Sequence, residues 1–163
     1  IKEFVIPADV TLIGANAFNK NHLKEIVLPN SVTVVEYGAF KDNHLQSVSL
    51  SNNLETLGNY AFKNNIIDNI KIPDTLTKLG AGVFATNKLT NIDFPSTFKN
   101  INGTVGEEGA FEDNLLDTIN LPKSLLTLGE SAFKKNKFKK ATVPITTSLA
   151  STAFDNNVKI TRK

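Results

Sequence analysis

One short hydrophobic formula recurs along this chain. Its first half reads apolar-x-x-apolar-x-apolar-Pro in the segments IKEFVIP, LKEIVLP, LQSVSLS, IDNIKIP, LTNIDFP, LDTINLP and FKKATVP. The last positions before the proline alternate as a half-buried strand does, so Ile26 and Leu28 are predicted to point inward and Glu25 and Val27 outward. Proline at Pro7, Pro29, Pro73, Pro95, Pro122 and Pro144 cannot donate to a ladder and ends the strand; Ser51 is the one departure. A second apolar pair follows as Val10/Ile13, Val32/Val35, Leu54/Leu57, Leu76/Leu79, Phe98/Ile101 and Leu125/Leu128. Its β-branched surroundings predict a second short strand on another side of a coil. Gly14, Gly58, Gly80 and Gly129 come next, where a positive φ is predicted.

A phenylalanine, nearly always behind an alanine, closes each unit: Phe18, Phe40, Phe62, Phe84, Phe111, Phe133 and Phe154. The gaps are 22, 22, 22, 27, 22 and 21 residues. A fixed period of this kind means stacked units, none able to bury its apolar face alone. The Ala-Phe pair is expected on a single helical or 3₁₀ turn with the ring driven inward. Three residues after each Phe stands an Asn: Asn21, Asn43, Asn65, Asn87, Asn114, Asn136 and Asn157. A buried turn must satisfy its backbone groups, and a short amide with donors and an acceptor can bridge neighbouring coils. These residues are therefore expected to form a structural ladder and to contact no ligand. Helical-pair repeats need about 33 residues and propeller blades about 40, whereas leucine-rich repeats occupy roughly 20 to 29.

The string LxxIxLPxSVxxIGxxAFxxN resembles the BspA-like leucine-rich repeats of bacterial surface proteins. The resemblance covers essentially the whole chain, because Leu-Pro, Ile-Gly and Ala-Phe recur in order. It implies an α/β-type, β-dominated leucine-rich-repeat solenoid, a right-handed superhelix with a parallel sheet on one face. It also implies a secreted or cell-surface location, as one part of a larger adhesin-like protein. The departures are local: Ser51 replaces Pro, Glu36 replaces Gly, and the final repeat is short.

Residues 1–163 are read as a single repeat domain of about seven 22-residue units. Ile1 already holds a strand position and Arg162-Lys163 falls in what reads as another strand. Neither end offers the polar cap that a terminal repeat needs, so a fragment of a longer protein is expected. Hydrogen exchange is expected to be fastest in the first and last repeats and slowest around residues 45–95.

Composition narrows function mainly by exclusion. Hydrophobic content of 40% and charged content of 21% are those of a folded chain. A formal net charge of +2 argues against nucleic acid as a partner. Cys, Met and Trp are all absent, which removes disulfides, zinc thiolates and a cysteine nucleophile. Apolar runs are too short for direct membrane insertion. His22 and His44 sit one repeat apart, but the matching positions are Ile66, Lys88, Leu115 and Lys137, so no third metal ligand follows. The fifth unit carries five extra residues within Asn102–Gly109; its glycines lack the Gly-Lys-Ser/Thr ending of a phosphate loop, and Glu107 and Glu108 would repel an anion. A flexible acidic bulge is expected there, continuing into Glu112, Asp113 and Asp117. No Ser/His/Asp set or carboxylate pair supports catalysis, and no cofactor is expected.

A repeat scaffold points to a surface that binds. The outward row Asn69, Lys71, Asn91, Asp93, Thr118, Asn120, Lys140 and Thr142 is expected to form one continuous strand face. A basic stretch from Lys134 to Lys163 adds Lys134, Lys135, Lys137, Lys139, Lys140, Lys159, Arg162 and Lys163 against Asp155 alone. The expected partners are a host or neighbouring-cell surface protein or an anionic glycan, beside other domains of the same parent protein. The alternative is a structural spacer with no ligand of its own, since the row lacks the Tyr, Trp and Arg anchors of binding hot spots.

Overall fold

The computed structural model describes residues 1–163. In chain order its strands are β1 (Leu12–Ile13), β2 (Glu25–Val27), β3 (Val34–Val35), β4 (Ser47–Ser49), β5 (Thr56–Leu57), β6 (Asn69–Lys71), β7 (Lys78–Leu79), β8 (Asn91–Asp93), β9 (Asn100–Ile101), β10 (Thr127–Leu128), β11 (Lys140–Val143), β12 (Ser148–Leu149) and β13 (Lys159–Arg162). Every pairing is parallel and joins residues one repeat apart, as in Ile26↔Val48 and Leu79↔Ile101. The chain is thus a solenoid of stacked coils, numbered here 1 to 7 by their phenylalanines.

Each coil contributes to three columns. The pre-proline column holds the pairs β2–β4, β6–β8 and β11–β13. The second strand column holds β1–β3–β5 and β7–β9–β10–β12. The third is the Ala-Phe turn, and it contains no helix. Backbone donors show why. Phe40 N donates to Ala61 O and Asp42 N to Lys63 O, across to the next coil, while Ala39 N and Lys41 N turn back to Glu36 O and Gly38 O. A helix or 3₁₀ segment would point every N–H along its own axis; here alternate N–H groups leave the coil. The reversal requires left-handed residues two before and two after the Phe, as at Gly38 and Asp42 or Tyr60 and Asn64. The helical turn expected from the sequence is therefore replaced by a ladder of alternating turns.

The positive φ expected at Gly14, Gly58, Gly80 and Gly129 is likewise not found. At Gly58 and Gly129 the requirement is close approach. A Cβ on Gly58 would lie 2.5 Å from the Glu36 carbonyl carbon and the Tyr37 nitrogen, and one on Gly129 would lie 2.3 Å from Gly103 N. At Gly14 a Cβ meets nothing nearer than 4.0 Å.

Inside the turn column the seven rings form one stack. Centroids from Phe18 to Phe154 are separated by 5.2, 5.2, 5.5, 5.7, 5.4 and 5.3 Å, with successive planes within 20° of each other. Phe40, Phe62, Phe84, Phe111 and Phe133 are wholly buried, whereas Phe18 is half-buried beside the exposed Phe4. Beside the rings, Asn43 accepts from Leu23 N at 3.1 Å and donates to Phe18 O at 2.7 Å and Phe40 O at 3.2 Å. Asn65, Asn87, Asn114 and Asn136 repeat that pattern one coil at a time. Asn21 serves only its own coil, through Ile1 and Asn19. Asn157, in the repeat one residue short, is exposed and outside the ladder; Asp155 Oδ2 instead takes the Lys135 N–H at 2.9 Å.

The strand columns are less continuous than the turn column. Both open between coils 3 and 4, since β4 does not pair with β6, nor β5 with β7. In neighbouring coils Lys99 N and Asn100 N donate to Thr77 O and Asn102 N to Leu79 O, yet the matching donors Thr77 N, Lys78 N and Gly80 N find no acceptor across the seam. The Phe62 turn still bonds Val83 and Ala85, and Thr75 Oγ1 donates to Leu54 O at 2.7 Å. The seam falls in the coil whose strand ends in Ser51 in place of proline. A cleft of about 290 Å³ lies along it, bordered by Glu55, Asn59 and Lys78.

Candidate binding surface

Pleating sets the outward row. In β6 and β8 the buried Ile70 and Ile92 alternate with exposed Asn69, Lys71, Asn91 and Asp93. Register places Asn69 opposite Asn91 and Lys71 opposite Asp93. Asn69 also donates its side-chain amide to the carboxylate of its neighbour Asp68. Thr118 and Asn120 are exposed on either side of the half-buried Ile119, but their segment forms no strand. Lys140 and Thr142 are exposed on β11, opposite Lys159 and Thr161. The expected continuous face is therefore two separate patches, β6–β8 and β11–β13, interrupted at coil 6, whose segment pairs with neither neighbour.

The basic end is the most strongly charged of these patches. Lys140 and Lys159 occupy directly paired positions, an arrangement that destabilises a ladder through like-charge repulsion. Lys137, Lys139 and Lys140 border a shallow depression of about 400 Å³ with Asp117 and Thr118. Arg162 is not free to join them, because its guanidinium donates to Ile145 O at 2.9 Å and Thr147 O at 2.5 Å.

The inserted loop is tethered, contrary to the flexible acidic bulge expected from sequence. Glu112 is buried, accepts from Gly109 N at 3.1 Å and pairs with Lys135 at 2.8 Å. That hydrogen bond and charge hold the Lys135 ammonium above the usual lysine range. Glu108 pairs with Lys63 at 2.5 Å. Beneath the loop, partial burial raises the Tyr60 phenol above its ordinary value, helped by the Glu107 and Glu108 carboxylates. The cations came from coils 3 and 6, invisible to a reading confined to the local run of acids. Only Val105, 84% exposed, projects as a bare apolar tip.

His22 and His44 stack at the coil edge with centroids 5.3 Å apart and planes 22° from parallel. No three His, Cys, Asp or Glu side chains gather into a metal-type cluster. No helix is long and apolar enough to cross a membrane.

Parallel coils of about 22 residues, with inward aliphatics on short strands and an Asn in each turn, define a leucine-rich-repeat protein. Within that class the chain belongs to the BspA type leucine rich repeat region family, matched in 6 copies over residues 1–105 and 56–161. It is similar to a leucine-rich repeat protein from Bacteroides ovatus ATCC 8483, known from a crystal structure, at 18% identity. That similarity covers 100% of this chain and 72% of the other, with a TM-score of 0.32. No curated protein matches the sequence.

Proposed function

We propose that the chain is a non-catalytic binding module of a bacterial surface protein, attaching to a host or neighbouring-cell surface protein or an anionic glycan. The observation that carries this reading is the basic end: Lys140 and Lys159 stand side by side, with Lys137 and Lys139 around the same depression. A fold does not set like charges in direct register for its own stability; an anionic partner turns that repulsion into binding. The outward row on β6 and β8 offers a second patch of amides, with Lys71 opposite Asp93. Replacing Lys139 and Lys140 together with Glu should weaken attachment to a glycan-coated surface. Added salt should do the same, because exposed charges are screened within about 10 Å at 0.1 M ionic strength. Attachment indifferent to both changes would contradict the reading. A second reading, a spacer without a ligand, draws on the strand face itself, which offers Ser47, Ser49, Asn69 and Asn91 but no aromatic or arginine anchor.

A further inference from the structure

At the opposite end of the same coil edge, four side chains form a second basic depression that the strand-face reading does not use. Lys2 and Lys24 are one repeat apart, as are His22 and His44, so stacking sets them in a two-by-two grid. The four line an open hollow of about 390 Å³ to which no carboxylate contributes. Both histidines are exposed. Through the middle coils the grid dissolves, since the positions matching Lys24 are Gln46, Asp68, Thr90 and Asp117 before lysine returns as Lys139 at the basic end, and Ile66 follows His44.

We infer that this hollow is an anion site for the sulfate or carboxylate groups of a glycan, and that its affinity rises as pH falls. The inference rests on the proposed anionic-glycan reading and adds a second anchor to it. A metal ion is the competing occupant, and the geometry opposes it. Two nearly parallel rings set side by side do not converge their nitrogens on one point, two ammonium groups repel a cation, and a tetrahedral site wants three or four ligands. An anion meets donors alone, because lysine ammonium and protonated imidazole have no acceptor to offer.

The pH dependence follows from residue type, since histidine gains its charge between about pH 5 and 8. Other charged groups nearby do not cancel it. Glu3 and Glu25 follow the two lysines in sequence but lie outside the hollow's wall. Lys41 and Asp42, in the turn before His44, pair with each other at 4.0 Å. Lys20 precedes His22 and adds positive charge, and the Ile1 amino group donates to Asn21 Oδ1 at 2.7 Å. Two charges acting on an anion about 5 Å away through water together strengthen binding about tenfold.

The test titrates the full chain with a heparin oligosaccharide, which carries sulfates and carboxylates, and with a hyaluronan oligosaccharide, which carries carboxylates alone. Each is measured at about pH 5.5 and about pH 8, a range that brackets histidine protonation. Wild type should bind about tenfold tighter at the lower pH. The His22→Asn/His44→Asn double variant should lose most of that difference, and Lys2→Glu/Lys24→Glu should weaken binding at both values. Response to both probes assigns carboxylate recognition, and response to heparin alone assigns sulfate recognition; either supports the site. If the histidine variant keeps the full pH dependence while Lys139→Glu/Lys140→Glu abolishes binding, the second anchor is wrong and the basic-end reading stands. Binding by neither probe at either pH overturns both, and binding that requires added Zn²⁺ makes the pair a metal site and overturns the anion assignment.

Discussion

Asn65 and Asn157 occupy the same repeat position, three residues after a Phe, but the structure gives them opposite weights. Asn65 is buried; its Oδ1 accepts from Leu45 N at 2.9 Å, and its Nδ2 reaches Phe40 O at 3.0 Å and Phe62 O at 3.1 Å. Truncation to Ala leaves the N–H of the fully buried Leu45 without a partner, which costs about 1–3 kcal/mol. The carbonyls are affected less, because Phe40 O keeps the Asn43 amide at 3.2 Å and Phe62 O keeps the Asn87 amide at 3.0 Å. Adding the lost net bonds, at about 0.5–1.5 kcal/mol each but partly replaced, puts Asn65→Ala at about 2–4 kcal/mol. Asn157 is exposed, so Asn157→Ala should fall within about 0.5 kcal/mol of wild type. Asn65→Asp separates the roles: the acceptor for Leu45 survives, but a carboxylate then faces two carbonyl oxygens, so this change should destabilise as well. Urea unfolding followed by circular dichroism reads the midpoint, with an unchanged slope showing that stability alone moved. Equal costs at positions 65 and 157, or a neutral Asn65→Asp, would refute the ladder argument.

Two further predictions rest on close contacts. Gly58→Ala should destabilise by about 1–3 kcal/mol, because its Cβ would meet backbone atoms that cannot swing aside. Gly14→Ala, facing open space, should be near neutral, and paired urea midpoints compare the two. Tyr60 should ionise above the normal tyrosine range, measured by phenolate absorbance in a Tyr37→Phe background, and Glu107→Gln/Glu108→Gln should bring it part of the way back. The folded phenol holds its proton to higher pH than the unfolded one, so stability should fall as pH rises past the unfolded value of about 10.

The repeat, the inward rings and the registered Asn positions were legible because each is a periodic signal seen seven times. What failed to show in the sequence was inter-coil contact that carries no seven-fold periodic signal. Glycine at 58 reads as a turn residue in one dimension, yet its role is to let Glu36 and Tyr37 of the preceding coil approach. The Ala-Phe segment reads as helical by length and composition, but its alternate N–H groups serve the next coil. Glu112 reads as part of a solvated acidic run, and Lys135 neutralises it from the following coil. The seam falls beside Ser51, the one strand end without proline, but no residue in the sequence announces that both columns open there. The basic end and the His22/His44 pair were each legible in the sequence, but only stacking brings Lys2 and Lys24 beside the histidines to make a hollow.

The central structural claim is that the Phe–Asn turn column runs unbroken from coil 3 to coil 4, where both strand columns open. Residue-resolved amide exchange by NMR tests it most directly. Donors without an acceptor exchange by small fluctuations, whereas those tying buried coils together require larger opening. The account predicts strong protection at Phe62 and Asn64, and fast exchange at Thr77, Lys78 and Gly80 in the middle of the chain, where the sequence alone led to the slowest exchange being expected. Protection at Thr77, Lys78 and Gly80 equal to that at Asn100 and Asn102 would mean the ladder is closed there, and the seam would not exist.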